Sequence, residues 1–372
     1  MTFTLPKTMH AVLLKGHGGT EQLEYRTDVS VPRPGVGEVL IKVGAAGVNN
    51  TDINTRIGWY SKQITGDTNS GGASGFAQID TEDASWSGVP LKFPLIQGAD
   101  CCGRIVAVGQ GVDDSRIGQR VLVRNMLRAP VENRPFECWT YGSDCNGAFA
   151  QFTVAPAADT WPVNSDWSDI ELASIPCAYS TAELLLQRAA VNGADKVLIT
   201  GASGGVGSAA VQLAKCRGAE VIAITSASKA DQILSLGADR VIHRDANLVE
   251  ALGENSVSVV LDLVGGKDWP ALLQVLKRGG RYAVSGAIAG PIVELDLRTL
   301  YLKDLTFHGC TFQEDAVFEE LISHIEHGRI RPFVSNSYPL SDIAKAQNDF
   351  IEKRYAGKLV LVPPQESVCE DH

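Results

Sequence analysis

Apolar and polar positions along this chain follow two different periods. Between residues 10 and 50 they form short alternating runs, HAVLL and then VLIKVGAAGV, separated by the Pro/Gly segment VPRPGVGE. Such runs predict short strands joined by turns. From residue 61 to 92 neither period holds. TGDTNSGGASGF is crowded with Gly, Ser, Asn, Thr and Asp, and predicts a loop without helix or strand. A loop of that length inside a compact domain is expected to be a functional lid or a mobile insertion. Gly-punctuated strands resume over FPLIQGADCCGRIVAVGQGV, RVLV and AFAQFTV, and the β-rich region is expected to close near Pro156.

Beyond about Ser165 the pattern changes. A helix is predicted through STAELLLQRAAV, then strand KVLIT, helix VGSAAVQLAKC, strand EVIAIT, helix ADQILSLG, and strands RVIH, VSVVLDLV and RYAVSG. Strands alternating with helices predict a parallel sheet covered on both faces. The tail carries two amphipathic helices, FEELISHIEHG and one near DIAKAQNDF, and a last strand, KLVLVP. The fold class is therefore α/β, with segments expected over residues 1–160, 161–310 and 311–372.

A chain of 372 residues suits two domains, and 44% apolar with 20% charged residues is the composition of an ordinary folded protein. The net charge of −10 repels phosphate backbones, and no basic cluster offsets it, so nucleic acid is not an expected partner. No apolar run approaches a membrane span. The start, MTFTLPKTMHAVLL, lacks the features of a secretory signal, and the eight cysteines lack a disulfide rhythm, so a cytoplasmic location is expected. The final CEDH sets a Cys where a prenylation signal would, but without the aliphatic pair that signal needs.

The most specific chemistry lies in KVLITGASGGVGSAAVQLAK. A strand ends at Thr200, a helix begins near Val206, and Gly201, Ser203, Gly204, Gly205, Val206 and Gly207 form the turn. Glycine lets backbone N–H groups approach a pyrophosphate closely, and the helix N-terminus then faces the anion. With strand, turn, helix and next strand in order, this predicts a dinucleotide site. At the end of EVIAIT, where NAD sites carry an acid for the ribose, the chain has Ser226, Ala227, Ser228 and Lys229, with Arg244 after the following strand. A hydroxyl and two cations suit a 2′-phosphate, so NADPH is the expected cofactor.

With these residues in view, the chain resembles the medium-chain dehydrogenase/reductase superfamily over nearly its whole length. The resemblance rests on VPRPGVGEVLIKVGAAGVNNTD, FPLIQGADCCGRIVAVG, CAYSTA, the nucleotide loop, DLVGG and GKLVLV. It implies a GroES-like β-domain with the substrate site, a Rossmann domain, and a C-terminal segment returning to the first domain. Zinc-dependent members carry metal ligands where this chain has Asn49, Ala99 and Cys177. With two of the three ligands lost, no catalytic zinc is expected. A makeshift site from Asp100, Cys101 or Cys102 with Cys177 competes poorly with their reading as buried structural residues.

The chain instead resembles the zinc-independent quinone and enone reductases, whose pattern GxNxxDxxxRxGxY is met by Asn49, Asp52, Arg56 and Tyr60. The resemblance implies that Asn49 lies near the nicotinamide and ribose, and that Tyr60 reaches into the substrate cleft. Taken alone, Tyr60 reads as a packed aromatic; its place in the motif makes it a candidate catalytic group. Asp52 and Arg56 fit a catalytic role or a structural ion pair equally. Thr181 resembles the residue that packs on the nicotinamide, and Lys358 one that closes over the cofactor.

The expected activity is hydride transfer from NADPH to a quinone or α,β-unsaturated carbonyl without zinc. Two alternatives stay open: an enoyl-thioester reductase, and a nucleotide-binding structural or redox-sensing protein with little turnover. The family suggests a homodimer or homotetramer acting on a small molecule.

Overall fold

The computed structural model describes residues 5–132 and 134–365; the CEDH end lies outside them. The chain divides into two compact units, one of Met1–Gln63, Gly72–Pro176 and Val334–His372, the other of Ile64–Gly71 and Cys177–Phe333.

In the first unit a seven-stranded sheet runs in the order Val334–Pro339, Lys358–Val362, Glu38–Val48, Cys102–Val108, Arg120–Val123, Thr160–Pro162, with Phe152–Pro156 also pairing on Glu38–Val48. Alternation in Glu38–Val48 sends Val39, Ile41 and Val43 into a core with Tyr141, Phe149 and Leu361. The closing strand Lys358–Val362 is antiparallel to Glu38–Val48, with Leu359 opposite Val48. That register carries Lys358 to the end of the strand where Asn49 begins the next helix. A second antiparallel pairing sets Cys102 opposite Ala45, and Asp100 just ahead of it reaches the same strand end.

The second unit is a six-stranded parallel sheet. Its order is Arg240–His243, Glu220–Thr225, Lys196–Ile199, Val257–Asp262, Leu276–Val284, Thr306–Gly309. Counted within the unit, that order is 3-2-1-4-5-6, the doubly wound arrangement of dinucleotide-binding folds. The last strand, Thr306–Gly309, goes beyond those the apolar pattern predicted. Leu198, Ile222, Val260, Leu273 and Tyr282 are buried in this unit's core.

Two expected boundaries are corrected. The first falls at 176/177 rather than 160/161, because the helix Asp169–Leu172 packs on Glu38–Val48 and Cys102–Val108 in the β-rich unit. The second falls at 333/334 rather than 310/311. The helix Asp315–Glu326 buries Val317, Phe318 and Leu321. Near it, Glu314 pairs with Arg188 at 2.7 Å and the Arg331 N–H bonds Gln212 Oε1 at 2.9 Å, so this stretch stays with the parallel sheet.

Residues 61–92 contain neither helix nor strand, as their composition predicts. They are nonetheless tied down. Residues 64–71 belong to the second unit, where the Thr68 N–H bonds Ile288 O at 3.1 Å. Further on, the Phe76 N–H bonds Ile57 O at 3.3 Å, and Ala84 and Ser85 are buried.

Candidate active site

The strand Lys196–Ile199 runs into a glycine turn and then the helix Gly205–Cys216. Gly201 takes a positive φ of 58°, which a side chain would strain, and its carbonyl accepts the Gly204 N–H at 3.0 Å. A Cβ on Gly207 would lie 2.3 Å from Gly201 O and 2.6 Å from Ala202 Cα. Helix and turn can therefore pack this closely only with glycine there. The N–H groups of Gly205, Val206 and Gly207, in the first helical turn, have no intrahelical acceptor and are donors for an anion. Ser203 and Gly204 complete the rim, with Gly204 exposed.

Thr200 braces the turn from behind. Its hydroxyl donates to Asp262 Oδ1 at 2.6 Å and accepts the Leu263 N–H at 2.9 Å. Asp262, at the end of its strand, also accepts the Tyr282 hydroxyl at 2.7 Å and the Val264 N–H at 3.0 Å. Beside the turn, Thr225 pairs with His243 in parallel register, and the Arg244 N–H bonds Thr225 O at 2.9 Å. Ser226 and Arg244 thus leave neighbouring strand ends together. Arg244 is exposed, 3.9 Å from Asp245, and Ser226 lies 3.1 Å from the Ser228 hydroxyl. Lys229 ends the short turn Ala227–Lys229. Thr181 is half-buried on the helix Pro176–Arg188.

In the β-rich unit, the helix Asn50–Ile57 begins where Glu38–Val48 ends. Asn49 precedes its first turn. Its Oδ1 accepts from Lys358 Nζ at 2.5 Å, and its Nδ2 donates to Asp100 Oδ2 at 2.8 Å and, at 3.4 Å, to Gly47 O. Lys358 Nζ also lies 2.8 Å from Asp100 Oδ2. A Cβ on Gly47 would lie 2.4 Å from that same Oδ2, so glycine makes the room for the carboxylate. Lys358 is buried, with its ammonium held between Asn49 and Asp100.

The expected alternative of an Asp52–Arg56 ion pair is corrected. Asp52 Oδ2 accepts the Asn49 N–H at 2.8 Å and its Oδ1 accepts the Ala99 N–H at 3.3 Å, so the carboxyl caps its own helix. Burial pushes that carboxyl up to about 7, against the hydrogen bond from Asn49 and helped by the Asp100 charge. Arg56 turns elsewhere. Fully buried, it donates to Gln347 Oε1 at 2.7 Å, Gly18 O at 2.7 Å and Gly72 O at 3.0 Å. Burial lowers its pKa to about 10. These partners, rather than Asp52, hold the Arg56 guanidinium.

Tyr60 follows the helix, half-buried, with its hydroxyl donating to Thr51 Oγ1 at 3.1 Å. Its ring meets Trp59 edge-on at 5.7 Å and Trp86 at 5.3 Å. Sequence reasoning missed Thr51 and Trp86. Thr51 lies inside the motif at an unmarked position, whereas Trp86 sits in a stretch whose composition carries no periodic signal. Among the described residues no three His, Cys, Asp or Glu side chains form a metal-binding group.

A glycine-turn dinucleotide fold joined to a GroES-like β-unit defines the class, and comparison with known proteins gives the family. Residues 35–165 match the alcohol dehydrogenase GroES-like domain, and residues 205–327 match the zinc-binding dehydrogenase family. The acryloyl-coenzyme A reductase of Metallosphaera sedula is 30% identical over 95% of this chain and 99% of its own. Rattus norvegicus quinone oxidoreductase is 28% identical over 96% and 98%. A solved structure of a putative alcohol dehydrogenase from Sinorhizobium meliloti 1021 is 44% identical, covers 97% of this chain and 98% of its own, and superposes with a TM-score of 0.86. The chain belongs to the medium-chain dehydrogenase/reductase superfamily of oxidoreductases, in its quinone and enone reductase type.

Proposed function

We propose that this protein is an NADPH-dependent reductase of quinones or α,β-unsaturated carbonyls that works without a catalytic zinc. The observation that carries this reading is the clasp on Asn49. A catalytic zinc needs three protein ligands and an open position. Here the carboxamide at the first ligand position is engaged at both ends by Lys358 and Asp100, and Ala99 offers no donor atom. An ammonium already supplies the positive charge. The residues do not fit zinc, so no Lewis acid is available to activate a simple alcohol, and a conjugated carbonyl is the acceptor such a site can serve.

The glycine turn fits a nicotinamide dinucleotide: the Gly207 approach leaves no room for a Cβ, and the first-turn N–H groups have no intrahelical acceptor. Gly201, Ser203, Gly204, Gly205, Val206 and Gly207 would hold the pyrophosphate; Ser226, Lys229 and Arg244 would hold a 2′-phosphate; Thr181 would pack on the nicotinamide. Bound there, NADPH supplies a hydride. Tyr60 is the chain's own contribution to the chemistry. Its hydroxyl, resting on Thr51 Oγ1, can turn about the C–O bond to donate to an enolate oxygen while a water supplies the proton that the α-carbon takes, with Thr51 left as acceptor for a water that refills the position.

The test is NADPH consumption with 1,4-naphthoquinone, an aliphatic enone and an enoyl-CoA thioester, in the presence of chelator and with elemental analysis of the protein. Turnover of the first two by metal-free protein is expected. One zinc per chain, lost together with activity, overturns the reading. The acryloyl-coenzyme A reductase relative at 30% identity favours one second reading, an enoyl-thioester reductase, which the third substrate decides. Absence of turnover on all three would leave a nucleotide-binding role.

A further inference from the structure

Residues 61–92 do more than pass over the surface. Directly after Tyr60 the chain is stitched to its own later part: the Lys62 N–H bonds Asp83 Oδ2 at 3.0 Å, and the Asp80 N–H bonds Ser61 Oγ at 3.0 Å. Ser85 closes the next turn on itself, its hydroxyl donating to Val89 O at 2.5 Å and accepting the Val89 N–H at 3.0 Å. Ser87 reaches Asp144. Trp86 sits inside this closed turn, with Ala84 and Ser85 buried beside it, and its indole meets the Tyr60 ring edge-on at 5.3 Å.

A phenol at the end of a helix has two soft torsions, and its oxygen is useful only while the ring is held in one place, the O–H itself remaining free to turn about the C–O bond. Here one indole comes from the neighbouring Trp59 and the other from a turn more than twenty residues downstream, and between them the hydroxyl is left on Thr51 Oγ1. Edge-on aromatic contacts have a preferred geometry, so they orient a ring as well as bury it. We infer that Trp86 is a positioning residue for Tyr60, and that the insertion serves the site by delivering this indole. The inference rests on the reading of Tyr60 as the hydrogen-bond donor to the developing oxyanion.

Loosening a donor cannot cost more than removing it, so Tyr60→Phe sets the ceiling. With an aliphatic enone, Tyr60→Phe is expected to lower kcat about tenfold to a hundredfold. Trp86→Ala is expected to lower kcat about threefold to tenfold with KM for NADPH unchanged, and Trp86→Phe to restore it to within about twofold, because a ring is again present. In the Tyr60→Phe background, Trp86→Ala should cost less than about twofold, since no hydroxyl remains to position. Should Trp86→Ala fail to fold, Trp86→Leu, which keeps apolar bulk without a ring, carries the same comparison. If Tyr60→Phe is slow but the Trp86 variants are as fast as the parent, or if Trp86→Ala costs the same factor with and without the hydroxyl, the positioning role is overturned while Tyr60 keeps its own. If Tyr60→Phe is fully active, both the reading of Tyr60 and this inference fall together.

Discussion

Lys358 Nζ lies 2.8 Å from Asp100 Oδ2, and both side chains are almost fully buried, at 3% and 0% exposure. A charge pair in that setting is held because each member neutralises the other, and Asn49 completes it by accepting from one and donating to the other. Removing one partner is therefore far worse than removing both. Lys358→Met should cost about 3–5 kcal/mol in denaturant unfolding, and Lys358→Met with Asp100→Asn should recover more than half of that. A single-variant loss below about 1 kcal/mol would mean that the pair does not hold this strand end together.

The cofactor preference follows from the paired ends after Thr225 and His243. With a hydroxyl and two cations and no acid at the first strand end, catalytic efficiency should favour NADPH over NADH by at least about tenfold, or roughly 1.4 kcal/mol. Lys229→Ala and Arg244→Ala should each erode that ratio while leaving NADH kinetics nearly unchanged. Equal efficiency with both cofactors in the parent protein would refute the assignment.

Gly207→Ala tests the glycine turn itself. The new methyl would collide with Gly201 O at 2.3 Å and Ala202 Cα at 2.6 Å, both backbone atoms that cannot swing aside. Overpacking of this kind costs about 1–3 kcal/mol, and here the displaced atoms belong to the anion cradle. Nucleotide affinity by titration calorimetry should fall more than about tenfold, whereas Gly204→Ala, which meets only Gly201 O at 3.4 Å, should be milder. Equal losses in both variants would place the sensitivity somewhere other than helix packing.

Asp52 gives a pH signature. Its folded pKa of about 7 lies above the unfolded value of about 3.9, so between those pH values the folded state binds a proton that the unfolded state lacks. Stability from this group is therefore full below about pH 4, declines as pH rises to about 7, and is flat above. Asp52→Asn removes the titration. Urea unfolding at pH 4.5, 6 and 7.5 should show the parent losing about 3 kcal/mol relative to Asp52→Asn across that range. A difference that stays constant across that range would show an ordinary carboxyl.

The parallel sheet and its glycine turn were readable because their signals are local: a strand, a turn and a helix succeed one another within about twenty residues. What the sequence hid was joined by register. Lys358 reaches Asn49 across 309 positions only because Leu359 pairs with Val48, and no periodicity in GKLVLV or GVNNTD announces that pairing. The partners of Arg56 were hidden for a related reason: a motif position names a residue, but two of its three partners are backbone carbonyls of distant glycines. The boundary near residue 311 failed because an amphipathic helix shows that it will be buried without showing against what.

Arg56 links the motif to the long insertion, and its removal tests whether that segment is anchored or mobile. Its guanidinium is fully buried and spans Gly18 O, Gly72 O and Gln347 Oε1, one acceptor from each of three separate stretches. Arg56→Met keeps the apolar stem but leaves all three acceptors without this donor, each costing about 1–3 kcal/mol if water cannot reach it. Gly18 is half-buried, where water can replace the lost donor, so the net loss should be smaller than the sum, about 2–4 kcal/mol. Opening of the insertion is the measurable consequence. Limited proteolysis should cut within residues 61–92 much faster in Arg56→Met than in the parent, before any cut within residues 177–333. Arg56→Lys, which can satisfy two acceptors but not the planar fork, should fall between them. If the parent is cut in this segment as readily as Arg56→Met, the insertion is a mobile cover and the anchoring bonds to Gly18 and Gly72 do not restrain it.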